Sequence, residues 1–140
     1  MSYISNFSII EVLDNKKTIF NDDIYITGID YDNRNSDFDY LETLKNLWID
    51  NDKFNILLYH SPNYIEETAS FWYDLQLYWH THAWQIFPFT LLVDFLYKYS
   101  DWFFKLWNTN IYVSDWAALW WPKMRFWSQN EITLFNIKKQ

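Results

Sequence analysis

Apolar and polar positions along this chain follow two different periods. Residues 8–13, 17–20 and 24–29 are short apolar runs of strand length, separated by the polar pieces DNKK and NDD, which suit turns. Residues 30–37, DYDNRNSD, read as a polar loop. From 38 to 48 the period changes: Phe38, Leu41, Leu44, Leu47 and Trp48 recur at helical spacing, with Asp37 placed to cap the helix. Residues 54–60 form an apolar run that ends in a histidine and is closed by Pro62. A helix is predicted over 63–72, a strand over 73–79, and later strands over 103–107, 110–114 and 131–137. Strand, helix, strand, helix and strand through the middle predict an α/β fold, and the strand-rich ends predict antiparallel additions. No repeat, low-complexity tract or linker divides the 140 residues, so 1–140 reads as one unit.

Charge narrows the partners. A net charge of -7 argues against a sequence-independent nucleic-acid binder, which needs a basic face, and favours cations. With no cysteine, neither a disulfide scaffold nor a thiolate metal site is available. Residues 1–20 lack a basic start followed by an apolar run, so no signal peptide is read. The apolar stretch 86–107 is broken by Pro88, Asp94, Lys98, Asp101 and Lys105, which argues against a transmembrane helix. A cytoplasmic or peripheral-membrane location is expected, with the aromatic residues of 86–107 either buried or in contact with lipid headgroups.

The chemistry concentrates in three histidines, His60, His80 and His82, the whole histidine content of the chain. Each stands where an apolar strand stops, the end at which ligands collect in open α/β sheets. Two neighbouring strands ending in His60 and His80 would bring those imidazoles together, and His80 and His82, two apart on extended backbone, share a side. Neutral imidazole is the commonest nitrogen ligand for divalent metals. The plain alternative is a set of surface or capping histidines. Asp30 and Asp32 read better as a solvated turn than as ligands, because Asn33, Arg34 and Asn35 share their polar run. Arg125 is either a phosphate clamp or a surface arginine.

Four segments resemble the calcineurin-like metallophosphoesterase family. LLYHSP (57–62) is similar to its motif of an apolar strand ending in histidine before a proline. LQLYWHTHAWQIFPF (75–89) is similar to the motif in which Gly-His-Thr-His precedes Gly-Gly-Gln and an apolar Phe/Pro stretch. ITGIDYD (26–32) resembles a strand and acidic turn, and residues 110–137 resemble a tail running from a Tyr-Val-Ser strand to Glu-Ile-Thr-Leu. The tail points to small bacterial, often membrane-associated, phosphoesterases.

The resemblance implies an α/β/β/α sandwich with mixed sheets, of which this chain would be the C-terminal half. It implies phosphoester hydrolysis at two divalent ions (Mn, Zn or Fe), with His60 and His80 on one ion and His82 on the other. The family's Asp-x-His, Gly-Asp and Gly-Asn-His-Glu motifs are not in the chain, so an N-terminal half encoded upstream is the expected partner and the fragment alone is expected to be weak or inactive. The alternative is a non-catalytic, aromatic-rich module that binds lipid headgroups or sugars by stacking.

One compositional fact stands apart. The chain has ten tryptophans and one glycine, Gly28, where ordinary usage gives about ten glycines. Nine tryptophans stand where the family or local physics calls for glycine: Trp48, Trp72, Trp79, Trp84, Trp102, Trp107, Trp116, Trp121 and Trp127. Trp48 falls at the expected end of the first helix, a common site for a left-handed glycine cap. A UGA codon, glycine in some bacterial codes and tryptophan in another, would account for all nine at once.

Overall fold

The structure, a computed structural model, describes residues 11–30, 39–79, 99, 103–114 and 132–138. Expectations for 8–10, 31–38, 80–98, 100–102 and 115–131 lie outside these residues. Six strands and two helices follow in order: β1 (Lys16–Asn21), β2 (Ile24–Ile29), α1 (Tyr40–Asn46), β3 (Phe54–Tyr59), α2 (Ile65–Ala69), β4 (Leu75–Tyr78), β5 (Phe103–Leu106) and β6 (Thr109–Val113). The strands form one mixed sheet in the order β1-β2-β3-β4-β6-β5. The inner pairs β2–β3, β3–β4 and β4–β6 are parallel, and the outer pairs β1–β2 and β5–β6 are antiparallel. The expected α/β core with antiparallel additions is what forms.

Register builds the core in rows. Thr27, Leu57, Gln76 and Ile111 lie side by side across four strands. One step on, Ile29 pairs with Tyr59 and Tyr78 with Val113. Leu57, Gln76, Tyr78, Ile111 and Val113 are almost wholly buried. Tyr40 and Leu44 of α1 and Ile65 of α2 close over these rows in a single apolar cluster. On the opposite face Ile26, Ile56, Leu58 and Leu77 are only half-buried.

The first helix starts two residues later than predicted. Asp39 rather than Asp37 is the cap, because its carboxylate accepts the Glu42 N–H at 2.9 Å while Thr43 donates from its N–H and hydroxyl to the Asp39 carbonyl. Asp39 with Glu42 has the spacing of a capping box, and Tyr40 enters the core as the first helical residue. The second helix is shorter than 63–72: Tyr64 precedes it in a left-handed conformation and Ser70 caps it.

Two predicted strands, 8–13 and 131–137, do not form over their described residues. Residues 11–13 are irregular: Leu13 crosses Gly28, where a Cβ would stand 2.6 Å from the Leu13 carbonyl oxygen. Residues 132–138 form no strand; Ile132 and Leu134 are exposed, and the segment meets the sheet through Tyr112, which bonds Thr133 and packs edge-on to Phe135 at 5.1 Å. Alternating apolar residues are there in both cases, but no strand edge among the described residues pairs with them. No helix among the described residues is long and apolar enough to cross a membrane.

Buried Asn55 ties the start of β3 to its neighbours. Its N–H donates to Asp74 Oδ2 at 2.7 Å, its carbonyl accepts the Asp74 N–H at 3.0 Å, and its side-chain amide donates to the carbonyls of Asp50 and Lys53, both at 2.8 Å. Asn55→Ala leaves those two carbonyls short of a donor and is expected to cost about 2–3 kcal/mol. Exposed Ile19→Ala should change stability by less than about 0.5 kcal/mol. Urea unfolding of both variants checks the contrast.

Candidate functional site

The carboxyl ends of the parallel strands form the candidate edge. His60 is the first residue past β3 and Trp79 the first past β4. Leu58 pairs with Leu77, and two residues on the Trp79 N–H reaches the His60 carbonyl at 3.3 Å, so the strand ends stay level. The His60 imidazole is half-buried, with its ring 6.0 Å from the Trp79 ring at 74°. On the far side of β4, the Ser114 N–H donates to the Tyr78 carbonyl at 2.8 Å. His60 thus ends a strand beside the strand that leads into His80, as its sequence position predicts. His80, His82, Asp32 and Arg125 lie outside the described residues. Asp30, the first residue past β2, is exposed, with its N–H on Asn15 Oδ1 at 3.0 Å, consistent with a solvated turn.

Beneath this edge lies a tyrosine cluster that sequence reasoning missed. Tyr40 stacks on Tyr59 at 4.4 Å and on Tyr64 at 5.5 Å, and Tyr59 meets Tyr78 edge-on at 6.3 Å. Tyr40 and Thr68 share a hydrogen bond at 3.0 Å, Thr68 donates to the Tyr64 carbonyl at 2.6 Å, and Tyr78 donates to Gln76 Oε1 at 2.7 Å. The signal was in the sequence: Tyr59 directly precedes His60, and Tyr78 stands two before His80. These rings fix the two strand ends from below.

One imidazole has the right donor chemistry for Mn, Zn or Fe but does not by itself make a metal centre. Among the described residues no group of three or more His, Cys, Asp or Glu side chains is placed to hold a metal ion. A depression at the opposite end of the sheet is lined by Asp23, Asp52, Lys53 and Asp74, among others. Of these carboxylates, Asp74 already holds Asn55.

Comparison with known proteins finds similar chains. The chain is 41% identical over 96 residues to an uncharacterized metallophosphoesterase of Helicobacter pylori, covering 63% of this chain and 24% of that protein. It is 37% identical over 91 residues to the uncharacterized metallophosphoesterase Cj0846 of Campylobacter jejuni, covering 61% and 23%. It is 33% identical over 89 residues to the uncharacterized metallophosphoesterase YkuE of Bacillus subtilis, covering 61% and 31%. Over about three fifths of its length the chain is similar to these proteins, each named a metallophosphoesterase. It spans about a quarter of the length of the Helicobacter and Campylobacter metallophosphoesterases it matches. No family model matches it. No solved structure matches it.

Burial sets a pH limit on the strand ends. It pushes the hydroxyls of Tyr40, Tyr73 and Tyr78 above the usual tyrosine range, most strongly for Tyr40 and Tyr78. Neighbouring tyrosines raise Tyr40 and Tyr78 further, while the Thr68 hydroxyl opposes the rise. Near Tyr73 the Thr27 hydroxyl opposes the shift slightly, yet the Tyr73 hydroxyl makes no well-formed hydrogen bond among the described residues. With folded pKa values above the unfolded one, these groups leave stability intact below about pH 10 and erode it as pH rises further. Stability should fall above pH 10, by about 1.4 kcal/mol per pH unit for each tyrosine held neutral. Tyr73→Phe removes an orphaned hydroxyl, so it should be neutral or stabilising at pH 7 and should flatten the alkaline loss. Denaturation at pH 7 and pH 11 measures both.

Proposed function

We infer that this chain is the C-terminal part of a calcineurin-like phosphoesterase domain, with 1–140 contributing to a metal-dependent phosphoester hydrolase. The observation that carries the reading is His60 at the carboxyl edge of β3, level with the residue that leads into His80-Thr81-His82. Relationship to proteins named metallophosphoesterases supports it.

In this reading His60 and His80 hold one divalent ion and His82 a second, and the remaining ligands come from an N-terminal part. When bound, the ions supply charge for the phosphoryl oxygens and lower the pKa of an attacking water. This chain's own residues position the ligands. The tyrosine cluster fixes the two strand ends, and the Trp79–His60 backbone bond holds them level. The half-buried apolar face of Ile26, Ile56, Leu58 and Leu77 suits a sheet that packs against a second sheet. The substrate class is a phosphoester, without nucleic acid, and a peripheral membrane contact belongs to the same proposal.

The test is hydrolysis of p-nitrophenyl phosphate with Mn²⁺ or Zn²⁺. A longer protein carrying the N-terminal half should be active, and residues 1–140 alone weak or inactive. His60→Ala, His80→Ala and His82→Ala in the longer protein should each lower activity by at least about a hundredfold, beyond the usual 10–100-fold effect of outer-shell partners. Full activity from 1–140 would overturn the division into halves. An inactive longer protein would overturn the enzyme reading.

A further inference from the structure

Four tryptophans fall among the described residues, and two of them, Trp72 and Trp107, have left-handed backbone, with φ of 66° and 52°. Apart from these, only Asn15 and Tyr64 have positive φ among the described non-glycine residues. Asparagine tolerates that region, whereas a bulky side chain there crowds its own carbonyl. Packing does not offset the cost, because the two indoles are 63% and 61% exposed.

Both positions are chain reversals. Trp72 lies two residues past the Ser70 cap of α2, with its N–H on the Ala69 carbonyl at 3.2 Å, where the chain turns back toward β4. Trp107 and Asn108 are the two residues joining β5 to β6, between the paired Leu106 and Thr109. Positive φ at the first of these and not at the second is the sign pattern of a type II′ turn, whose first central position calls for glycine. Gly-Asn is one of the sequence signatures of such a hairpin.

We propose that the native residue at positions 72 and 107 is glycine, specified by UGA codons that read as glycine in one genetic code and as tryptophan in another. The backbone makes no such demand at Trp48, where a left-handed helix cap was expected. The α1 cap falls on Leu47 at φ -93°, and Trp48 has no positive φ. Its carbonyl instead accepts from Lys17 Nζ at 3.0 Å, with that ammonium 3.6 Å from the indole centroid. With glycine at 72 and 107, two of the exposed indoles on which an aromatic binding module would rely are removed, and His60 is untouched.

Reading the two codons is the shortest check: UGA is expected, and UGG at either overturns the proposal. Mass spectrometry of peptides spanning 72 and 107 from the protein isolated from its native host should give glycine masses, and tryptophan at either position overturns it. Equilibrium unfolding tests the backbone argument by itself. Trp72→Gly and Trp107→Gly should each exceed the matching alanine variant about tenfold in folded-to-unfolded ratio, about 1.4 kcal/mol. Asparagine variants should fall between. Equal stability of glycine and alanine variants overturns the argument, and if the tryptophan chain does not fold, the mass measurement decides.

Discussion

The pairing of β3 with β4 carries the molecule, and the Asn55–Asp74 exchange of hydrogen bonds anchors it at one end. The Asp74 carbonyl also accepts the Asn110 N–H and side-chain amide, each at 3.0 Å, so one aspartate aligns β3, β4 and β6. A slip of one residue would turn every side chain to the other face of the sheet. Leu57 and Ile111 would leave the helices, and His60 would no longer stand level with Trp79. The anchor lies at the amino end and the candidate site at the carboxyl end, so the short strands between act as a ruler.

The polar groups inside the core follow from the same arrangement. Gln76 occupies the row between Leu57 and Ile111, where an aliphatic residue would be ordinary. Its Oε1 accepts from Tyr78, and its Nε2 has no partner among the described residues. Burying an unpaired amide is costly, and groups of this kind are kept where position matters more than stability. Here the amide braces Tyr78, and Tyr78 ends the strand that leads to His80.

Much of this was legible in the sequence. The strands 24–29 and 54–60 and the placement of His60 at a strand end all follow from period and punctuation. The parallel core flanked by antiparallel strands follows from their order. The errors have physical causes. Asp37 and Asp39 are equally good caps by type, and only the burial of Tyr40 selects the second. Residues 11–13 and 132–137 carry the alternation of strands, but pairing needs a partner edge, which is a property of the whole fold. The tyrosine cluster was missed because tyrosines 40, 59, 64 and 78 are far apart in sequence and converge only when α1 and α2 close over β3. The left-handed turns at Trp72 and Trp107 were legible only through the missing glycines, since tryptophan itself gives no turn signal.

Among the described residues the outermost strands are β1 and β5, and both present apolar side chains to solvent. Ile19 and Phe20 on β1 are 61% and 69% exposed, and Phe103 on β5 is 57% exposed. An edge strand of this kind offers its unpaired backbone and a greasy surface to any extended segment that passes. Lys16 and Lys17 on β1 and Lys105 on β5 are the charges set against that, since bringing two such edges together would oppose like charges without solvent between them. In this acidic chain the few cations at its margins thus add a local barrier to edge-to-edge pairing. Ionic strength high enough to screen them weakens the barrier to strand-to-strand association while leaving the buried core almost unchanged.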